Sequence, residues 1–449
     1  MKFIFKYKTL ALAGLILLLI TKASAQQQDS IKLPFAIAKE KRLPDDELAE
    51  KKEGFYVAGV PDLSSDPING LGAGAEGSIF FNGKKKDPFF AYTPYRAELD
   101  VAVFVTTKAQ QEVHLALDIP YIFNTKWRLR TEAAYEVNPN LLYFGITEQS
   151  LKPLSYYPDN NPTKPLVTDA SYSSYEKNLV GTKAYYNTYT KTEAVLNVSM
   201  ERSFYEGRLR ALIGYEIAQI HISTPLNDSS FVQKDFLSGN IKGLGSNTIS
   251  LLQTGLIYDT RNLETDPTAG IFAELTNELS TQALGSQYNF NKVFIHANGY
   301  YAILPEVLKR VVFCGSFGMG YTFGNAPFFE YGDFWSSEGD IDGMGGSRTL
   351  RGYKQARFVA PVMQYTDFEL RWRFLQLKVL KQHFAFSAVP FFDEAGVWDN
   401  LSRLTHLGNL RYSEGLGLRI AWNVNTILRF DYAVSKEDRQ FFFSLGHAF

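Results

Sequence analysis

Residues 367–374 read Asp-Phe-Glu-Leu-Arg-Trp-Arg-Phe, with apolar side chains at the even numbers and charges at the odd ones. Side chains that switch face at every residue describe a β-strand, because a helix brings together residues three and four apart. Phe368, Leu370, Trp372 and Phe374 line one face, and Asp367, Glu369, Arg371 and Arg373 line the other. A soluble sandwich packs its apolar face into a core and wets the other. A membrane barrel turns the apolar face to lipid and the charged face to its lumen.

The same alternation runs outward from this stretch. Trp127, Leu129, Thr131, Ala133, Tyr135 and Val137 oppose Arg128, Arg130, Glu132, Ala134 and Glu136. Leu416, Leu418, Ile420, Trp422 and Val424 oppose Gly417, Arg419, Ala421 and Asn423, and Leu428, Phe430, Tyr432 and Val434 oppose Arg429 and Asp431. These runs reach the length of a tilted strand that crosses a bilayer. Short turns (Glu206-Gly207; Val424-Asn425) alternate with long polar loops at roughly 145–190, 223–248 and 325–362. No helical segment covers a sheet face, and a closed barrel is the β solution without lipid-exposed edges. The expected fold is all-β, a transmembrane antiparallel β-barrel. Roughly 390 residues at about 24 per strand and connection give close to sixteen strands. An even count places both termini in the periplasm.

Composition agrees. Aromatics make up 15% of the 449 residues, yet mean hydropathy is −0.16, as alternation requires. The single cysteine, Cys314, excludes a disulfide scaffold and a cysteine-rich zinc site, and it reads as packing inside a strand. A formal charge of −1 gives no case for nucleic acid.

The only long apolar run is N-terminal. Lys2, Lys6 and Lys8, the apolar Leu10 to Ile20, and Ala23-Ser24-Ala25 make residues 1–25 a signal peptide. Its removal takes four lysines and no acid, so the mature chain carries −5. Residues 26–54 form a polar periplasmic tail with a short helix expected over Asp46 to Glu53, either solvated, docking a partner or entering a barrel mouth. Residues 55–449 form the outer-membrane barrel.

The third long loop contains Gly343-Met344-Gly345-Gly346-Ser347-Arg348-Thr349-Leu350-Arg351-Gly352-Tyr353. A phosphate cradle fails on context, because no helix follows it. Gly352 permits a sharp bend that points the Arg351 guanidinium into the lumen, where Glu369 and Asp393 have luminal parity. Such an arginine–carboxylate cluster would lock the loop tip. The six histidines are scattered and no G-x-S-x-G elbow occurs, so no metal, cofactor or enzyme activity is expected. His447 shares alternation with Leu445 and Phe443 on the last strand and reads as interfacial. Tyr156, Tyr157, Tyr172 and Tyr175 read as loop packing, with a sugar-binding track as the alternative.

The Leu350-Arg351-Gly352-Tyr353 run resembles the signature loop of the bacterial surface-antigen family, the superfamily of the barrel-assembly proteins BamA and TamA and of two-partner-secretion transporters. Asp259-Thr260-Arg261-Asn262 followed by Pro267-Thr268-Ala269-Gly270 resembles its periplasmic turn. Asp367 to Arg371 and Phe391-Phe392-Asp393 are similar to the strands after the signature loop. Phe441 to Phe449, with Phe443, Leu445, Gly446 and Phe449, looks like the terminal insertion signal. The family's acidic motif has Gly two residues after its Asp; here Ala395 holds that place and Gly396 follows. Residues 26–54 are too few for a POTRA domain, so the resemblance is to a member lacking them. It implies an outer-membrane protein that assists insertion or translocation of polypeptides (or lipid), with a weak seam between first and last strands. The alternative is a passive or partner-gated channel. Implied partners are outer-membrane lipid, client polypeptides and periplasmic accessory proteins.

Overall fold

A computed structural model describes residues 32–449 apart from 67, 157, 159–162, 181–186, 225–229, 305–309, 381, 424 and 425. The expected signal peptide, Tyr157 and the Val424-Asn425 turn lie outside the described residues. Strands β1 (Phe55–Asp66), β2 (Gly70–Phe81), β3 (Ala97–Thr106), β4 (Gln111–Ile119), β5 (Trp127–Leu142) and β6 (Thr188–Phe204) begin the sheet. It continues with β7 (Leu209–Ser223), β8 (Gly245–Asp259), β9 (Gly270–Ser280), β10 (Phe290–Ala302) and β11 (Val311–Gly324). The two-residue strands β12 (Asp333–Phe334) and β13 (Ile341–Asp342) form a small hairpin within a loop. The sheet ends with β14 (Val362–Val379), β15 (Gln382–Trp398), β16 (Leu410–Trp422), β17 (Thr426–Ser435) and β18 (Arg439–Leu445).

Sixteen strands form one antiparallel sheet in sequence order, with β11 pairing β14. The count matches the spacing argument. Among the described residues no ladder joins β1 to β18. Parity is as expected: Phe368 and Trp372 are 41% and 53% exposed, whereas Asp367 and Glu369 are buried. The barrel has one rim of short turns and one of long loops. The 325–361 loop descends from the long-loop rim into the lumen and packs Phe334, Met344, Leu350, Tyr353 and Phe358 against Phe294, Met363 and Val397 of the wall.

The tail is neither solvated nor free. Residues 32–54 run across the short-turn rim, with a helix at Asp45–Glu50, slightly earlier than expected. The Ala38 amide donates to Glu206 O (2.9 Å) and the Leu43 amide to Ala91 O (2.8 Å). Lys51 Nζ donates to Phe90 O (2.7 Å) and Thr93 O (2.6 Å). Lys52 reaches Gln382, and Glu50 pairs with His383 at 2.6 Å. These contacts join turns on opposite sides of the mouth, so the segment is a strap.

The C-terminus differs from the expected straight strand. β18 ends at Leu445, and Gly446 turns the chain at φ +80°. His447 is hydrogen-bonded to Asp266 at 3.1 Å, and Phe449 O accepts from Arg371 Nη2 at 2.8 Å. The Phe449 ring packs by Tyr300, Val312 and Cys314. His447 and Phe449 therefore leave the lipid face expected from alternation, because the positive φ ends the alternation at Gly446.

Candidate functional site

The 325–361 loop is held by charges along the lumen wall, and Arg351 is the most connected of them. Its Nε and Nη2 donate to Asp393 Oδ2 and Oδ1 at 2.8 and 2.7 Å, and its own amide also donates to Asp393 Oδ2 at 3.0 Å. Nη1 donates to Glu369 Oε1 at 2.8 Å and to Asp431 Oδ2 at 3.1 Å. The guanidinium carbon lies 3.5 Å from the centre of the Phe391 ring. A planar fork with five donors suits this geometry, which an ammonium could not reproduce.

The structure thus brings Arg351, Glu369 and Asp393 together, and adds groups that sequence reasoning did not assemble. Arg371 Nε donates to Glu369 Oε2 at 2.8 Å, and Arg419 donates to Glu369 Oε1 (3.0 Å) and Asp431 Oδ1 (2.5 Å). Arg371, Arg419 and Asp431 carried luminal parity, but parity alone does not say which strands face the loop tip. Gly352 has φ +88°, and a Cβ there would lie 3.1 Å from Val434 C, so the bend also brings the loop backbone against β17. Tyr353 is buried with Phe358 in the loop core. The shift from Gly to Ala at 395 does not prevent the Arg351–Asp393 contact; the Trp398 ring fills the space above Gly396.

A second set anchors the loop lower down. Arg261 donates from Nη1 and Nη2 to the two carboxylate oxygens of Glu338, both at 2.9 Å. Asp259 accepts from the Arg261 amide at 2.9 Å and from Arg210 at 3.3 Å. It also pairs with Lys41 of the strap at 2.9 Å. The 325–361 loop therefore reaches the short-turn rim, and strap, turn and loop meet through Lys41, Asp259, Arg261 and Glu338. Pro267 is buried in this turn, and Gly270 closes it at φ +106°, where a Cβ would lie 2.3 Å from Thr260 O. Glu264 in the same turn is pushed up by burial, but Arg128 and Arg210 outweigh this and hold it down to about 2. On the strap, burial pushes the Lys51 ammonium down to about 7. A third anchor is Lys292, which meets Glu330 at 3.0 Å and Asp333 at 3.3 Å on the loop.

The other candidates resolve as packing. Tyr172 and Tyr175 are buried with Ile68, Phe144 and Leu154 in a loop core, and Tyr156 packs against it. Cys314 is fully buried in β11. Ser316, His296 and Glu274 form a buried chain with 3.5 Å steps, too long for well-formed hydrogen bonds, under Phe294 and Phe334. The arrangement as a whole holds a loop inside a barrel.

Residues 97–449 match the Omp85 superfamily domain, and residues 33–96 match a domain of unknown function, DUF5982. The second match joins the strap to β1, β2 and the 82–96 loop on which it rests. No curated protein matches the chain. The fold is similar to the crystal structure of BamA from Haemophilus ducreyi lacking POTRA domains 1–3, at 15% identity and a TM-score of 0.51, over 88% of this chain and 70% of that one. It is also similar to CdiB from Escherichia coli, at 10% identity and a TM-score of 0.51, over 87% of this chain and 61% of that one. The chain therefore spans about three fifths of the CdiB chain.

Proposed function

Because the chain belongs to the Omp85 superfamily, we propose that it assists insertion or translocation of polypeptides (or lipid) at the outer membrane. The strap and short turns then face the periplasm, the long loops face outward, and residues 1–25 serve as the export signal. The observation that carries the reading is the Arg351 loop held inside the barrel by Glu369, Asp393 and Asp431. A buried cluster of this kind sets a loop in one place, and the loop in turn braces the wall from β14 to β17. The seam supports the same reading: β1 and β18 carry no ladder among the described residues, and Gly446 turns the end of β18 inward. A wall braced on one side and unladdered at the seam opens sideways at least cost, because few backbone hydrogen bonds must break there.

The channel alternative wants an open lumen. Here the 325–361 loop packs against the lumen wall and the strap crosses the short-turn mouth, so a large standing pore is not expected. The test places purified protein in liposomes and follows the folding of an unrelated outer-membrane barrel. Faster folding than in protein-free liposomes supports assistance. Unchanged folding together with large steady conductance in planar bilayers refutes it and favours the channel.

A further inference from the structure

The apolar lipid face of β6 breaks near its short-turn end. Ala194, Leu196, Val198 and Met200 stand exposed at every second residue, and Arg202, also exposed, takes the next place on that face. Its cross-strand neighbours are Trp127 on β5 and Ala211 on β7. The guanidinium carbon lies 5.5 Å from the centres of both the Trp127 and the Phe204 rings. On the other side the small Ala211 leaves room beside it.

Lys126 is exposed on the adjoining turn, where its carbonyl accepts from the Ser203 amide at 2.9 Å. Among the described residues neither cation forms an ion pair, and the neighbouring carboxylates are taken: Glu201 by Arg130 and Arg210, and Glu206 by Arg208. Phe123 and Tyr205 hold left-handed backbone at φ +53° and +45°, a costly conformation for aromatic residues, and both stand exposed on the turns beside this face.

A guanidinium on the lipid face is costly at the bilayer centre and costs little at the interface. Arg202 lies two residues from the end of β6, about 7 Å along the strand, and aromatic rings flank it, so it stands at headgroup level. A phosphodiester at that level presents two anionic oxygens, which match the planar guanidinium fork. Two cations without carboxylates also favour a lipid of net negative charge over a zwitterionic one, whose ammonium they repel.

We propose that Arg202 and Lys126, framed by Trp127 and Phe204, bind the phosphate headgroup of an anionic phospholipid in the leaflet at the short-turn rim. Arg202 takes the phosphate oxygens, Lys126 adds charge from the turn, and the Trp127 and Phe204 rings cover the glycerol and first acyl carbons. The site goes beyond the proposed function and holds whether the barrel assists folding or conducts.

The test titrates the full-length protein in detergent micelles with phosphatidylglycerol or phosphatidylcholine and counts retained lipids by native mass spectrometry. The parent should retain phosphatidylglycerol in preference. Arg202→Gln should weaken that retention about tenfold and Lys126→Gln about fivefold, with unchanged thermal melts. Lys436→Gln, an exposed charge on the opposite rim, should change nothing. Millimolar glycerol phosphate should not displace the lipid, because the acyl chains supply the rest of the affinity. Equal retention of the two lipids, parent-like retention by Arg202→Gln, or an equal loss in Lys436→Gln overturns the proposal. Displacement by glycerol phosphate does so too, since the site would then take a soluble phosphate and not a lipid. If the melt of Arg202→Gln falls, Lys126→Gln, on an exposed turn, decides alone.

Discussion

Replacing Arg351 with Ala removes one guanidinium that serves three carboxylates, Asp393, Glu369 and Asp431. In the native lumen Arg351, Arg371, Arg419 and Arg429 face Asp367, Glu369, Asp393 and Asp431, all buried, so the formal charges balance. The variant leaves one uncompensated negative charge, and Asp393 loses both of its guanidinium bonds at once. It keeps only the bond from the backbone amide of residue 351. Removing one partner of a buried pair costs about 3–5 kcal/mol. Most of that cost is relieved if the loop tip leaves the wall, so the loss appears first as loop opening. The opening constant should rise by roughly two to four powers of ten. Hydrogen exchange of residues 343–358, followed by mass spectrometry in nanodiscs, reads this directly, while the amides of β5 to β8 keep their protection. Arg351→Lys restores charge without the fork and should fall between the two. Pairing Arg351→Met with Asp393→Asn should recover part of the loss, since no unpaired charge then remains at that site. The reasoning is refuted if both single variants leave loop protection within about twofold of the parent.

Gly270→Ala forces a side chain onto a positive φ against Thr260 O and should lower stability by about 1–3 kcal/mol, read in a thermal melt. An unchanged melt would mean the turn is free to rearrange. Lys51 has its proton affinity lowered by burial to about 7 when the strap is docked, against about 10.4 when detached. The detached state binds more protons between these values, so strap docking should tighten as pH rises from 7 towards 10 and change little below 7. Strap protection against exchange, corrected for intrinsic rate, would show no rise between pH 7 and 10 if Lys51 were docked as an ammonium. Lys41→Ala leaves Asp259 with Arg210 and Arg261 and therefore should loosen the strap without unfolding the rim. Faster cleavage of residues 32–54 by an added protease, with an unchanged barrel melt, is the expected result.

Much of the barrel was legible because its chemistry is written at every second residue. Phe368 against Glu369, and Phe430 against Asp431, needed only a period of two to separate lipid from lumen, and strand length with loop spacing led to the strand count. The Arg351, Glu369 and Asp393 set was reachable for the same reason: a bend at Gly352 and matching parity. Asp431 and Arg419 had the parity too, but parity names a face and not a neighbour across the lumen. The strap was harder. Its polar composition reads as solvated chain, while Leu43, Ala38 and Lys51 are buried because the strap lies on the turns and on the 82–96 loop, whose Phe89, Phe90 and Tyr95 are buried and whose carbonyls take up Lys51.

The amino-acid sequence by itself determined the class of fold, the outward and inward faces, and the identity of the loop that carries Arg351. Those depend on local periodicity and on the backbone freedom of single glycines, which neighbours in the chain dictate. Only the tertiary structure decided that Glu338 meets Arg261 and that Lys41 meets Asp259. Such contacts join residues far apart in the chain, and they form where barrel closure and register bring charges and strand ends to the same height.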